Sequence, residues 1–504
     1  MTVNLLRQPE VAVAAGCSAY GPEPPYSPDA LYPEYPFDAA TIAGVPNPAY
    51  EAVRSALRLL GLDAQHLDTP EWNPLDGIVR PGDTVVLKPN FVRDFRETHD
   101  GDGNCTITHG SILRAVADYV HIALAGRGRI IIADAPQNDA DFARIRRLAG
   151  LDELEAFYAR CGAVPLNVYD LRPERADKID GVIVGHRPLP GDPAGYVRVN
   201  LGERSAFHTL GPLCDRLYGA EYDTAELRQH HRGDLHEYLI SRTVLAADCV
   251  ISVPKLKTHK KVGITVNLKN LVGINGNKNW LPHHREGTPA QGGDQFHRNG
   301  LKQRLEQRTV AGFKQVFSRL GPVRALLAGP CKALGKSVFG DTNVATVRSG
   351  NWYGNDTAWR MVLDLNRILL YADAEGTLHT EPQRRWFSVV DGITAGEGNG
   401  PLDATAKDAG VVVAGFNPVA VDLACARLMG FDYGRIPMLR EALAAHGLPL
   451  VDFPAEGVCI RSNESRWNRR AIEIAGPALA FRSHFGWQGQ VEVAARDDEV
   501  GTVS

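Results

Sequence analysis

The 504-residue sequence contains no run of about 18 apolar residues, the length a helix needs to cross a bilayer, so no membrane partner is expected. Its first residues, MTVNLLRQPEVAVAAG, carry a single Arg, and their short apolar stretch is broken by Pro9 and Glu10. The order of charged, apolar and cleavage regions of a signal peptide is missing, and the expected location is cytoplasmic. None of the eight cysteines (Cys17, Cys105, Cys161, Cys214, Cys249, Cys331, Cys425 and Cys459) forms a CxxC pair or an iron–sulfur run. Free thiols are expected, with Cys249 and Cys425 as small core residues. The chain also has no excess of either charge: 55 Lys and Arg stand against 59 Asp and Glu, a net charge of −4. That excludes recognition of nucleic acid or a membrane surface through overall charge. Any basic chemistry must be local. There is no internal repeat, and the GxxxxGK[ST] phosphate loop is absent.

What is present is an alternation of short apolar runs with helical patterns, the mark of parallel βαβ construction. Strands are expected at 11–15, 84–87, 129–133, 165–169, 248–253, 387–390 and 411–414. Helices are expected at 48–60, with Asn47 as cap and Pro48 in the first turn, at 108–124, capped by Thr108 and closed by Gly126, and from Pro418 to near Gly430. The fold class is α/β: a mixed, largely parallel sheet with flanking helices and two long insertions forming a lid or subsidiary domain. The divisions read as an N-terminal α/β part (1–170), an insertion (171–237), a core strand with a basic segment (238–275), a second insertion or lid (276–382) with an apolar helical stretch at 301–334, and a C-terminal α/β part (383–504). Residues 20–46, rich in Pro and Tyr, read as an ordered arm over the surface.

Charged residues recur where strands end. TVVL leads into Lys88-Pro-Asn90, RIIIA into Asp134, DCVISVP into Lys255-Leu-Lys257, and FSVV into Asp391. In open α/β sheets the carboxyl ends of the strands border the crevice where ligands bind. Lys88, Asp134, Lys255 and Asp391 are therefore expected at one edge of one sheet, converging on one cleft. The densest stretch, KLKTHKKVGITVNLKNLVGINGNKNW over 255–280, sets Lys255, Lys257, His259, Lys269, Asn267 and Asn270 among small residues, with Gly263 and Gly273 permitting close backbone approach to a ligand. Lys and Asn side chains suit phosphate or carboxylate oxygens. LPHHREGTPAQGGDQFH follows, with His283, His284 and Arg285 expected on a polar lid over the cleft. DGITAGEGNGP places Asp391 and Glu397 on a glycine-rich loop, where two carboxylates could bind Mg²⁺, bind hydroxyls or divide acid and base roles. Asp422, inside the helix from Pro418, either turns to the same edge or favours the helix's first turns.

These same stretches, VVLKPN, TITHG, IIIADAP, SVPKLKTHKKVGITVNLKNLVGI, DGITAGEGNGP and FNPVAVDLACARLMGF, resemble the bacterial and archaeal family called domain of unknown function 362, from about Thr84 to Gly430. GNWYGNDTAWRMVLDLNRI is similar to the larger variant of that family. By the resemblance, the matching positions are Lys88, Asn90, Asp134, Lys255, Lys257, His259, Asn267, Lys269, Asn270, Asp391 and Glu397. Many relatives carry a ferredoxin-like cysteine module; this chain lacks it, so no iron–sulfur cluster is expected. A similarity to the lactate racemase family extends only to a two-part α/β plan and a basic His/Lys site, and imports no nickel.

The leading expectation is an enzyme acting on a small anionic metabolite, phosphorylated or carboxylated. Lys88, Lys255, Lys257 and Lys269 would hold the anion, and Asn90, Asn267 and Asn270 would orient it. His259, Asp391 or Asp134 would move a proton, and Mg²⁺ could sit on Asp391 and Glu397. Lyase, isomerase and group-transfer chemistry are not separated by these residues. The alternatives are a non-catalytic anion-binding or accessory protein and a redox protein that borrows an external cluster.

Overall fold

Successive side chains of a strand point to opposite sides, so the apolar runs build a sheet with two buried faces. The computed structural model describes residues 4–96, 105–179, 182–219, 224–298 and 346–493. Ten strands form the central sheet: β1 (Glu10–Ala15), β2 (Thr84–Pro89), β3 (Arg129–Asp134), β4 (Leu166–Asp170), β5 (Cys249–Val253), β6 (Lys255–His259), β7 (Gly263–Thr265), β8 (Arg385–Glu397), β9 (Thr405–Gly415) and β10 (Cys459–Ser462). The order is β10-β1-β9-β8-β5-β2-β3-β4. The run β8-β5-β2-β3-β4 is parallel, and β8-β9-β1 is antiparallel. The sheet is therefore mixed and largely parallel, as the sequence implies.

All seven expected strands are present. The three additional ones have little apolar signal: β6 reads KLKTH, β7 has three residues and β10 lies at the sheet margin. β8 is longer than its apolar run because its second half pairs with β6 rather than with β5. Pro254, which has no N–H to give, separates β5 from β6, and its carbonyl accepts from Asp391 N at 2.9 Å.

Two apolar cores cover the faces. One contains Val85, Leu87, Ile130, Ile132, Val389 and Val412 and packs under helices α1 (Pro48–Leu59) and α2 (Gly110–Leu124). The other contains Val86, Ile131, Val250, Val390 and Val413. Over it lie the short turn α3 (Asn267–Asn270) and the helices α4 (Ala358–Tyr371) and α5 (Pro418–Met429). The cap of α2 is His109, whose Nδ1 accepts from Ser111 N, and not the expected Thr108. Thr108 instead ties β2 to β5, accepting from Asn90 N and donating to Val253 O.

The 20–46 arm lies over α1 and α2, with Tyr26 and Tyr35 buried, and is held by Asn47 and Arg114. The expected insertions form small antiparallel sheets, one of which pairs Leu217–Gly219 with Pro282–Arg285 and so joins the two insertions. The apolar stretch 301–334 lies outside the described residues. No described helix is long and apolar enough to cross a membrane, and the seven cysteines among the described residues are free.

Helix α5 is buried along its whole length, so its start must be satisfied internally. Asn417 Oδ1 accepts from Val419 N and Ala420 N, while its Nδ2 donates to Leu5 O and Leu450 O. Asn417→Ala is expected to cost on the order of 2 kcal/mol, read as a lower urea midpoint with an unchanged slope. An unchanged midpoint would remove this cap from the core's essential contacts.

Candidate functional site

Burying an ammonium group costs several kcal/mol unless its hydrogens and its charge are matched. Each lysine at the carboxyl edge of the sheet can be judged on what matches it. Lys88, in β2, is fully buried and pairs with Asp134 at the end of β3, Nζ to Oδ1 at 2.7 Å. It also donates to Pro89 O and to Asn270 Oδ1. Burial still pushes it below the usual lysine range, with Asp134 pulling it back. Gly273 roofs this pair so closely that a Cβ there would lie 1.9 Å from Asp134 Oδ1 and 2.6 Å from Lys88 Nζ. The close approach that Gly273 permits is thus to an internal ion pair. Gly263, at φ +85°, backs onto Trp487 and Ile436 instead of a ligand.

Lys255 is matched on the opposite face. Its register partner on β8 is Asp391, and their charged atoms are 2.9 Å apart with both side chains fully buried. Asp391 Oδ1 accepts from Tyr20 OH at 2.6 Å, and Oδ2 accepts from His109 N at the start of α2 as well as from Lys255. Tyr20 OH accepts in turn from Lys255 Nζ and Thr394 N. The ring of His109 stacks on that of Tyr20 at 4.0 Å, and burial lowers its pKa to about 4. The position that a helix N-terminus offers to an anion is here filled by the protein's own Asp391.

The four strand-end charges therefore lie in one sheet but do not share one cleft. Asp134 and Asp391 serve as internal counter-ions, Asp134 also accepting from Phe91 N. Tyr20 and His109 complete the second network, and sequence reasoning missed both. The available signals were the Tyr in the arm and the His directly before a helix start.

The amide residues are partly committed within the protein, with Asn267 Nδ2 and Asn90 Oδ1 buried and left without a partner among the described residues. Asn270 donates to Lys88 O and Ser252 Oγ and accepts from Lys88 and Asn90, which makes it a cross-link between α3 and β2. Asn267 Oδ1 accepts from Ser388 Oγ. Asp422, from α5, accepts from the backbone N–H groups of Asn267 and Leu268, and burial raises its pKa to about 7. It anchors the turn that presents Lys269.

Glu397 faces Arg482, whose N–H it accepts at 2.9 Å. It stands six residues from Asp391 on one bulged strand, roughly 15–20 Å at a rise of about 3.3 Å per residue. The expected Mg²⁺ pair is corrected by this separation, since an extended strand cannot fold two such positions onto one ion. Among the described residues no group of three or more His, Cys, Asp and Glu could hold a metal. The glycines of this stretch serve close packing: a Cβ on Gly396 would lie 2.6 Å from Cys105 O, and one on Gly400 would lie 2.0 Å from Thr258 O.

Lys278, buried, gives its three hydrogens to the carbonyls of Ala135, Val272 and Asn275. Among the described residues, Lys257, Lys261 and Lys269 have no such match. Lys257 is fully buried and makes one bond, to Thr106 O; Lys261 makes one, to Ser349 O; Lys269 makes none among the described residues. The charge of Lys269 acts on Lys257, His259, Lys261, Lys278 and His283, so these groups share one electrostatic neighbourhood. Burial, then the Lys88 charge, pushes Lys269 down to about 8. Burial and Lys260 bring Lys261 to about 7, and burial brings Lys278 to about 7. Lys257 is driven far below the usual range by burial and by its lysine neighbours. Two carboxylates act on this group, Asp134 and Asp294, and both have other partners: Asp134 pairs with Lys88, and Asp294 accepts from Arg285 N, Asp356 N and Thr357 Oγ1.

Two imidazoles join the cluster, and their hydrogen bonds set opposite tautomers. His259 Nδ1 accepts from Lys261 N and Val262 N, so the neutral ring carries its proton on Nε2. His283 Nδ1 donates to Leu281 O, which leaves Nε2 as an acceptor. Burial and the surrounding lysines hold both far below the usual histidine range. Of the three residues expected on a lid, only His283 acts on the cluster. His284 is buried and stacks on Tyr218, and Arg285 is fastened to Gly292 O and Asp356. The Pro282–Arg285 strand is paired, so it forms a fixed wall instead of a loose cover.

A family model described as Domain of unknown function (DUF362) matches residues 173–427, a little over half of the chain. No curated protein matches the sequence.

The two kinds of lysine should respond differently to removal. Lys255→Ala strands the buried Asp391 and is expected to cost about 3–5 kcal/mol in urea unfolding. Lys269→Met removes an unmatched charge and should leave stability unchanged or raise it. Equal destabilisation by the two would show that the separation into matched and open lysines is wrong.

Proposed function

The chain belongs to the domain of unknown function 362 family, whose description names no reaction, and we propose that it is an enzyme acting on a small phosphorylated or carboxylated metabolite bound over Lys269. One observation carries this reading: Lys257, Lys261 and Lys269 cluster with donors left open and without carboxylates of their own, in a chain of net charge −4. Lys257 is buried and Lys261 and Lys269 are partly so; a fold keeps unmatched ammonium groups in such places at a cost in stability, and a bound anion would offset it. Positive charge beside a reacting centre also stabilises negative charge that develops in a transition state.

The proton-transfer roles follow from the tautomers. His283 Nε2 is the acceptor and His259 Nε2–H is the donor, each held neutral by burial. This replaces Asp391 and Asp134, whose oxygens are committed to Lys255 and Lys88. Removal of a proton beside the bound anion by His283, with His259 hydrogen-bonding the developing charge, fits a lyase or an isomerase; group transfer needs the same anion site.

Sulfate or inorganic phosphate is expected to raise the wild-type melting temperature, by about 2.7 kcal/mol of added stability at a hundred times Kd, and Lys269→Met should lose most of that gain. Exclusion of these salts from the protein surface would stabilise both proteins alike, and that outcome would remove the anion site. The pH dependence has a definite sign. Lys261, Lys269 and Lys278 sit at about 7 to 8 when folded and near 10.4 when unfolded. Between those values the unfolded chain binds more protons. Their contribution to the free protein's stability therefore rises with pH across this window and is fully unfavourable below it. The anion's stabilisation should run the other way, greatest where the lysines are charged and fading as pH climbs through about 8. Lys269→Met should flatten both trends.

A further inference from the structure

Building on the anion-site reading, we propose that the ligand enters the cluster through a phosphate-type dianion, a tetrahedral oxyanion with charge near −2, and not through a carboxylate. The argument is a count of donors and charges. Counted as ammonium groups with three hydrogens each, and among the described residues, Lys257 retains two open N–H donors, Lys261 two and Lys269 three. His259, 4% exposed, adds its Nε2–H, for which no protein acceptor exists among the described residues. Lys257 is 0% exposed, so its open donors have little access to water as a substitute partner.

A monocarboxylate brings one charge and two oxygens, and would leave two of the three lysines uncompensated. A phosphate-type group brings a charge of about −1.5 to −2 and three terminal oxygens, enough to engage all three. The donor type agrees. A carboxylate is matched best by the planar fork of arginine, whereas lysine acts as a point charge suited to phosphate. Among the described residues no open arginine acts on these lysines. Arg172, whose charge reaches Lys278, is committed to Asp170 and to the carbonyls of Gln137, Asn138 and Ala140. A dianion should also restore protons to lysines that burial has partly discharged, so binding is coupled to proton uptake near neutral pH.

Isothermal titration calorimetry of the full chain tests this. Inorganic phosphate, glycerol phosphate and acetate would be titrated at one ionic strength and about pH 8, near the Lys269 midpoint, in two buffers that differ in protonation enthalpy. Phosphate or glycerol phosphate should bind at least about tenfold tighter than acetate, with a buffer-dependent heat that reports proton uptake. Lys269→Met and Lys261→Met should each reduce both the preference and the uptake. Tighter binding of glycerol phosphate than of inorganic phosphate would assign the dianion to a phosphorylated metabolite, and the reverse order would assign it to a free oxyanion; either supports the proposal. Acetate binding as tightly as phosphate would overturn the dianion assignment while leaving an anion site. Absence of binding by all three would overturn the anion site itself.

Discussion

The constraint on which the rest of this structure depends is the cost of keeping lysine side chains away from water. Five fully or nearly fully buried or partly buried lysines, Lys88, Lys255, Lys257, Lys269 and Lys278, lie on or beside the carboxyl edge of the central sheet. An ammonium there must find a carboxylate or a set of carbonyls, or its pKa falls. The fold answers the first need with Asp134 and Asp391 and the second around Lys278. Lys269, with Lys257 and the adjacent Lys261, has neither among the described residues, and burial lowers the pKa of all three. The two ion pairs also pin the sheet from both faces. One joins β2 to β3 beneath Gly273; the other joins β6 to β8 at the start of α2.

The open cluster rests on residues committed to hydrogen bonds within the protein. Asp422 holds the start of α3 from within a fully buried helix, and Asn270 fastens its end to β2. Lys269 lies between these two anchors. On the other side, the turn between β6 and β7 is closed by the His259 ring, which accepts from two backbone N–H groups. A single imidazole thus sets the path of the chain and presents a proton to the cluster. Fixed geometry of this kind reduces the ordering that a ligand must bring about, and it separates the supporting residues from the groups that remain free for chemistry.

The split between matched and open lysines also explains why neutral imidazoles belong in such a place. A charged histidine among lysines would add to the repulsion, so both rings stay neutral and differ only in which nitrogen holds the proton. That choice comes from backbone groups, Leu281 O for one and the 261–262 N–H pair for the other. Opposite tautomers give a donor and an acceptor at the same pH without any carboxylate, consistent with Asp134 and Asp391 being occupied elsewhere.

By itself the amino-acid sequence determined the strand and helix order, because apolar periodicity and end signals act locally: seven sheet strands, the Asn417-Pro418 start of α5 and its Gly430 stop are all read from neighbours in the chain. It also singled out 255–280 as the chemically dense segment. Only the tertiary structure decided which lysines are spent and which are open, since that depends on partners far away in sequence, such as Asp134 for Lys88 and Tyr20 with Asp391 for Lys255. The sheet's two-residue alternation then sent Lys88 and Lys255 to opposite faces. The separation of Glu397 from Asp391 has the same origin: residues that look adjacent on a glycine-rich loop lie far apart once the strand is extended and its glycines are used for backbone packing.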